Sequence, residues 1–246
     1  MADRRPRGRS ASDMSMADAF SIANAVCGFF AIALLARGGL GDGLKHSDVI
    51  VAGALLVAGS LFDILDGPVA RWRGSSELGE VLDTLSDVVT FAVLPAVLLA
   101  VAGAPEGGRH PEISLIAAAA YLVAVLVRLA RFSVASAPSE RECFSGMPCP
   151  LATLAVFGLV LLSPGAYPTA AAVGVMVFLM ISRVRYPKAS RATGPFITLW
   201  AVAGASGLAG LISLDFVAAA TVIVVLGIPA FMAAHERREA DVPTTA

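Results

Sequence analysis

The chain has 246 residues, 57% hydrophobic and 15% charged, with a mean hydropathy of +0.78. A soluble domain of this size rarely carries so much apolar sequence, and a net charge of −1 gives no global case for a nucleic-acid partner. Three cysteines, Cys27, Cys143 and Cys149, make an odd count without a C-x-x-C, which argues against a disulfide framework or a zinc site and leaves small buried or loop thiols.

Residues 1–17 are polar and basic and read as a disordered cytoplasmic tail. Arg4, Arg5, Arg7 and Arg9 ahead of an apolar run also fit a signal peptide with a loose cleavage site at Ala33 to Ala36, but the spans that follow favour a first helix that stays. About eight candidate spans come next, at 18–36, 47–71, 79–103, 112–133, 149–163, 167–184, 193–212 and 215–234. The expected fold is therefore all-α, a polytopic transmembrane bundle over 18–235, closed by a second cytoplasmic tail at 236–246. Since about 20 residues cross a hydrocarbon core, the fifth and sixth spans are short, and Ser163, Pro164 and Gly165 make a tight turn between them. With the N-terminus in the cytoplasm, only Arg37, Lys45 and Arg109 of the 18 Lys and Arg fall on the outer side. This bias predicts an even number of spans with both termini inside.

Asp63, Asp66, Asp83 and Asp87 interrupt the inner ends of the second and third spans. A carboxylate at membrane depth normally faces a cavity, a partner or a cation. Four of them together repel one another unless divalent cations or protons intervene. At about 100° per residue, Asp63, Asp66, Gly67 and Ala70 share one helical stripe, and Gly79, Asp83 and Asp87 share a second on the next helix. A short connection, Trp72 to Leu78, makes those helices antiparallel neighbours whose stripes can place four carboxylates around one point. Gly67, Ala70 and Gly79 leave room beside the carboxylates, although small residues also serve ordinary helix packing. Pro68 cannot donate a hydrogen bond and frees the Ile64 carbonyl, giving either a site-shaping kink or a harmless bend. Arg71 ends the stripe, as an interface anchor or as a clamp for phosphate.

In order, these residues read Asp63-Ile-Leu-Asp66-Gly67-Pro-Val-Ala70-Arg71, seven residues, Gly79, three residues, Asp83, three residues, Asp87. The run closely resembles the signature of the CDP-alcohol phosphatidyltransferases, D-x2-D-G-x2-A-R-x8-G-x3-D-x3-D. All the fixed residues are present, and the one departure, seven residues for eight before Gly79, shortens the turn and leaves both stripes intact. The resemblance implies that Asp63, Asp66 and Asp83 bind divalent metals and that Asp87 borders the metals as general base. It implies further that Gly67, Ala70 and Gly79 line the nucleotide pocket, and that Arg71 contacts the CDP phosphates. An alcohol hydroxyl then attacks the lipid-side phosphorus and CMP leaves. Hard oxygen ligands suit Mg²⁺ or Mn²⁺, in two ions, independently of that resemblance.

More of the chain is similar to one branch, the CDP-diacylglycerol–serine O-phosphatidyltransferases. Ser21-Ile-Ala-Asn24-Ala-Val-Cys-Gly28 looks like their opening T-x-x-N-x-x-x-G. Leu82-Asp83-Thr84-Leu85-Ser86-Asp87 with Phe91 and Pro95 resembles L-D-S-L-x-D…F-x-x-x-P. Arg128-Leu-Ala-Arg131-Phe and Phe144-Ser-Gly146-Met-Pro148-Cys-Pro150 resemble R-x-x-R-F and F-x-G-L-P-x-P, and Ser182-Arg-Val-Arg185-Tyr186-Pro187 is similar as well. The branch implies CDP-diacylglycerol, or a CDP-linked ether lipid, and L-serine as substrates in the cell membrane, and a homodimer. Arg128 and Arg131 are then candidate partners of the serine carboxylate, or interface anchors, and Asn24 is an acceptor contact or a helix–helix bond. Glycerol 3-phosphate or inositol phosphate acceptors also want basic residues. A transporter built on membrane carboxylates would scatter its acids across the bilayer, whereas these gather at one edge beside an arginine.

Overall fold

The computed structural model describes residues 14–41, 43–73, 77–103, 110–134, 143–162, 165–182 and 185–187, with 213 and 219. The spans expected at 193–212 and, apart from residue 219, at 215–234, and the Ser163-Pro164 half of the expected turn, lie outside the described residues. Helix α1 (Met16–Leu40) starts two residues before the expected span because Ser15 caps it: the Ser15 hydroxyl accepts from the Asp18 N–H, and Asp18 accepts from the Ser15 N–H in return. Helix α2 (His46–Arg73) runs unbroken through Pro68. The third span is not one helix. It divides into α3 (Glu77–Asp87), a π-helical turn (Val88–Val93) and α4 (Leu94–Ala102), with Pro95 at the start of α4. Then follow α5 (Pro111–Val134), α6 (Cys149–Leu162) and α7 (Ala166–Ile181). A three-residue antiparallel ladder pairs β1 (Cys143–Ser145) with β2 (Arg185–Pro187), Phe144 opposite Tyr186.

Among the described residues, four helical stretches are long and apolar enough to cross a membrane: Met16–Leu40, His46–Trp72, Leu78–Ala102 and Pro111–Val134. Helices suit that setting because each satisfies its own backbone. Phe29, Phe30, Leu115, Ile116 and Phe178 all stand exposed, as lipid-facing side chains of a membrane helix do.

Between helices in lipid, close packing replaces the hydrophobic drive. Helix α1 is the hub, packing most extensively on α2 and also on α3 and α4, while α5 packs on α7. At Gly59 of α2 an added Cβ would meet the Asn24 side-chain oxygen at 2.7 Å, so α1 and α2 approach only because that carbon is missing. The apolar centre is formed by Leu35, Leu56, Phe91, Leu98, Val125 and Met176, all fully buried. Gly146, at φ +82°, begins the tight passage from β1 into α6; a Cβ there would strike the Met180 carbonyl. The next residue, Met147, donates its N–H to the Leu179 carbonyl at 3.2 Å, tying this passage to the end of α7.

Candidate active site

Helices α2 and α3 both rest on α1 and touch each other little. Side chains bridge the gap between them. Asp63 from α2 and Asp83 and Asp87 from α3 each offer a carboxylate oxygen, and the three oxygens lie within 4.8 Å of one another. Asp66 stands beside them on the α1 side: its side chain meets that of Asp83, and its Oδ2 accepts from the Ser21 hydroxyl at 3.2 Å.

Beside the trio lies a cavity of about 280 Å³. Asp66, Gly67 and Ala70 wall it on α2, Gly79, Glu80 and Asp83 on α3, and Ala17, Asp18 and Ser21 on α1. The missing side chains of the two glycines are part of its volume. Arg71 folds back over this wall, its Nη1 3.7 Å from where a Cβ on Gly67 would stand. The sequence reading did not include Asp18 or Glu80. Asp18 is fully buried, and its pattern Ser15-x-x-Asp18 is legible as a capping box, although nothing in that pattern announces a cavity. A second cavity of about 190 Å³, walled by Leu44, Val49, Leu99, Leu159 and Thr169 among others, has no acidic lining residue.

The remaining sequence candidates occupy three different places. Asn24 sits one turn beyond Ser21 on α1, fully buried, between Gly59 and Thr90. Its backbone carbonyl accepts from the Thr90 hydroxyl at 3.2 Å, and its side-chain nitrogen and oxygen have no partner among the described residues. It is not among the residues lining the larger cavity. Arg128 is half-buried, with Nη1 donating to the Cys149 sulfur at 3.1 Å. Arg131, one turn on, is exposed and donates to the Ile181 carbonyl at 3.0 Å, fastening α5 to the end of α7.

A family model described as CDP-alcohol phosphatidyltransferase matches residues 14–184, all of the described helical bundle from the start of α1 to the end of α7. The chain belongs to the CDP-alcohol phosphatidyltransferase family. It is 31% identical over 183 residues to the archaetidylserine synthase of Methanothermobacter thermautotrophicus, covering 72% of this chain and 71% of that one. To the CDP-diacylglycerol–serine O-phosphatidyltransferase of Bacillus subtilis it is 31% identical over 170 residues, 68% and 86% of the two chains. A segment of 115 residues is 41% identical to the enzyme of that name from Mycobacterium leprae, 44% of this chain and 37% of the other. CDP-alcohol phosphatidyltransferases are enzymes that in general depend on divalent metal, and the carboxylates here suit such an ion. They are hard oxygen donors gathered from two helices, and Asp87 Oδ1 is buried without a hydrogen-bond partner among the described residues. A buried carboxylate oxygen in that condition is costly unless a cation or donor reaches it.

Proposed function

We propose that the protein transfers the phosphatidyl group of CDP-diacylglycerol, or of a CDP-linked ether lipid, to L-serine. The observation that carries this reading is the Asp63–Asp83–Asp87 trio beside a cavity walled by Gly67, Ala70 and Gly79, in a chain similar over most of its length to serine-named enzymes. Asp63, Asp66, Asp83 and Asp87 hold Mg²⁺ or Mn²⁺, two ions in all, and these when bound neutralise the pyrophosphate and the departing CMP. Gly67, Ala70 and Gly79 accept the nucleotide against bare backbone, and Arg71 contacts its phosphates through a charge-assisted fork. Asp87 takes the proton of the serine hydroxyl. The oxygen bonds to the lipid-side phosphorus as the bond from that phosphorus to CMP breaks, giving phosphatidylserine and CMP.

For the serine carboxylate, Arg128 is the better placed of the two arginines in this reading. Its guanidinium sits half-buried against Cys149, while that of Arg131 is exposed and engaged with the end of α7. Asn24 is assigned to the acceptor side, one turn below Ser21. In this reading a six-helix family core is joined by two C-terminal spans, about eight in all, in a domain from 18 to 235. The placement of Lys and Arg supports a cell-membrane protein with both termini and the active site at the cytoplasmic face. A homodimer forms through helices away from the carboxylates.

The test is CMP release by the purified enzyme given CDP-diacylglycerol, Mg²⁺ or Mn²⁺, and serine, glycerol 3-phosphate or inositol phosphate in turn. Serine is the expected substrate. Release with glycerol 3-phosphate and none with serine overturns the acceptor and leaves the phosphatidyl transfer standing.

A further inference from the structure

The π-helical turn begins one residue after Asp87, and its backbone is held from outside. Pro95 has no N–H, so the Phe91 carbonyl four residues earlier loses the bond an α-helix would give it. Phe91 is fully buried, and an unpaired carbonyl there is costly. Two hydroxyls from other helices reach it: Tyr121 of α5 at 3.3 Å and Thr153 of α6 at 3.2 Å. The two also bond each other at 3.0 Å, and Thr153 lies 3.0 Å from the Cys149 carbonyl. Both side chains are fully buried. With two protons between them, they serve the Phe91 carbonyl either directly from Tyr121 or through Thr153.

We infer that Tyr121 and Thr153 are positioning residues for Asp87. By donating to the Phe91 carbonyl, to which Pro95 can give no α-helical bond, they hold the turn directly after Asp87 in its π-helical winding. That winding sets the rotation of Asp87 about the helix axis, and hence which of its oxygens joins Asp63 and Asp83. A turn of this kind interrupts the 3.6-residue repeat, which is why such turns recur at functional sites. The inference rests on the reading of Asp87 as a metal-site carboxylate and base.

The experiment compares the full-length enzyme in lipid nanodiscs with Tyr121→Phe, Thr153→Val, the double variant, and Tyr121→Phe combined with Thr153→Ser. Mn²⁺ affinity is read by electron paramagnetic resonance, steady-state kinetics by CMP release, and folding by melting temperature. Each single variant leaves one hydroxyl on the carbonyl and loses about threefold in kcat at most, whereas the double variant loses about tenfold or more. Its Mn²⁺ affinity weakens by a similar factor, while at saturating Mn²⁺ the KM for CDP-diacylglycerol stays within about twofold, because Asp87 is not a nucleotide contact. Serine in place of Thr153 restores both readouts. A double variant with parental kcat and Mn²⁺ affinity overturns the inference, and so does a Thr153→Ser combination as impaired as the double variant. A parent enzyme that binds no Mn²⁺ overturns the reading of the carboxylates themselves, and is recognised before any variant is made.

Discussion

At the residue scale, carboxylates of one chemical type are held in three different ways. Asp18 is enclosed by Ser15, and Asp66 receives a hydroxyl from Ser21. Asp87 keeps one buried oxygen without a hydrogen bond among the described residues. The predictions differ accordingly. Asp83→Asn removes a charge from the trio without changing its size, and it should abolish detectable Mn²⁺ binding by resonance titration. Asp87→Asn should lower kcat by about a hundredfold or more, the range of a lost general base, while CDP-lipid affinity falls much less. Equal loss of nucleotide affinity in both variants would speak against separate roles. For Arg128, a bidentate charge-assisted contact contributes roughly 1.5–3 kcal/mol, so Arg128→Ala should weaken apparent serine affinity by about tenfold or more. Arg128→Lys keeps the charge without the fork and should fall between. Arg131→Ala should leave serine affinity near the parent and lower the melting temperature, since its guanidinium holds the Ile181 carbonyl.

At the scale of elements, α1 governs the site although it carries none of the signature residues. It packs on both α2 and α3, and its approach to α2 depends on Gly59. Gly59→Leu should force the helices apart and destabilise the fold by roughly 1–3 kcal/mol, the usual range for overpacking, with metal binding lost in the same step. A thermal melt and a Mn²⁺ titration on one preparation would check both. Much of this was legible in the sequence. The repeat of three and four residues from Asp63 to Ala70 and from Gly79 to Asp87 anticipated that these side chains gather beside one cavity, and the signature named the family. The π-helical turn was not legible. Pro95 marks an irregularity, but the winding depends on Tyr121 and Thr153, 30 and 62 residues from Phe91 in sequence. Nor could α2 and α3 be foreseen as sharing α1 in place of a long mutual contact, because a loop length restricts how far two helices separate and not what enters between them.

At the scale of the whole molecule, the acidic trio and the larger cavity sit together on α1–α3, while α5 and α6 hold the π-helical turn that follows α3 through Tyr121 and Thr153. Divalent cation should therefore affect stability as well as turnover: an ion bound only by the folded state raises the melting temperature with its concentration. Addition of excess EDTA should abolish CMP release and lower the melting temperature, and Mn²⁺ should restore both. Full turnover with EDTA present and no metal retained on the protein would sink the metal-dependent reading.

One feature of α2 bears on how the enzyme meets its lipid. Leu61, Ile64 and Leu65, which flank Asp63 and Asp66 in the sequence, stand 51%, 57% and 46% exposed. The helix that carries the acids thus shows apolar side chains on an open face, within a turn of the carboxylates, in a chain whose helices are apolar enough to cross a membrane. A lipid donor arriving there travels sideways in a two-dimensional fluid, and its supply is set by its share of the surrounding lipids, not by its amount per litre. Inert lipid or detergent added at constant bulk CDP-diacylglycerol should slow the enzyme by surface dilution, while a water-borne acceptor remains governed by ordinary molarity.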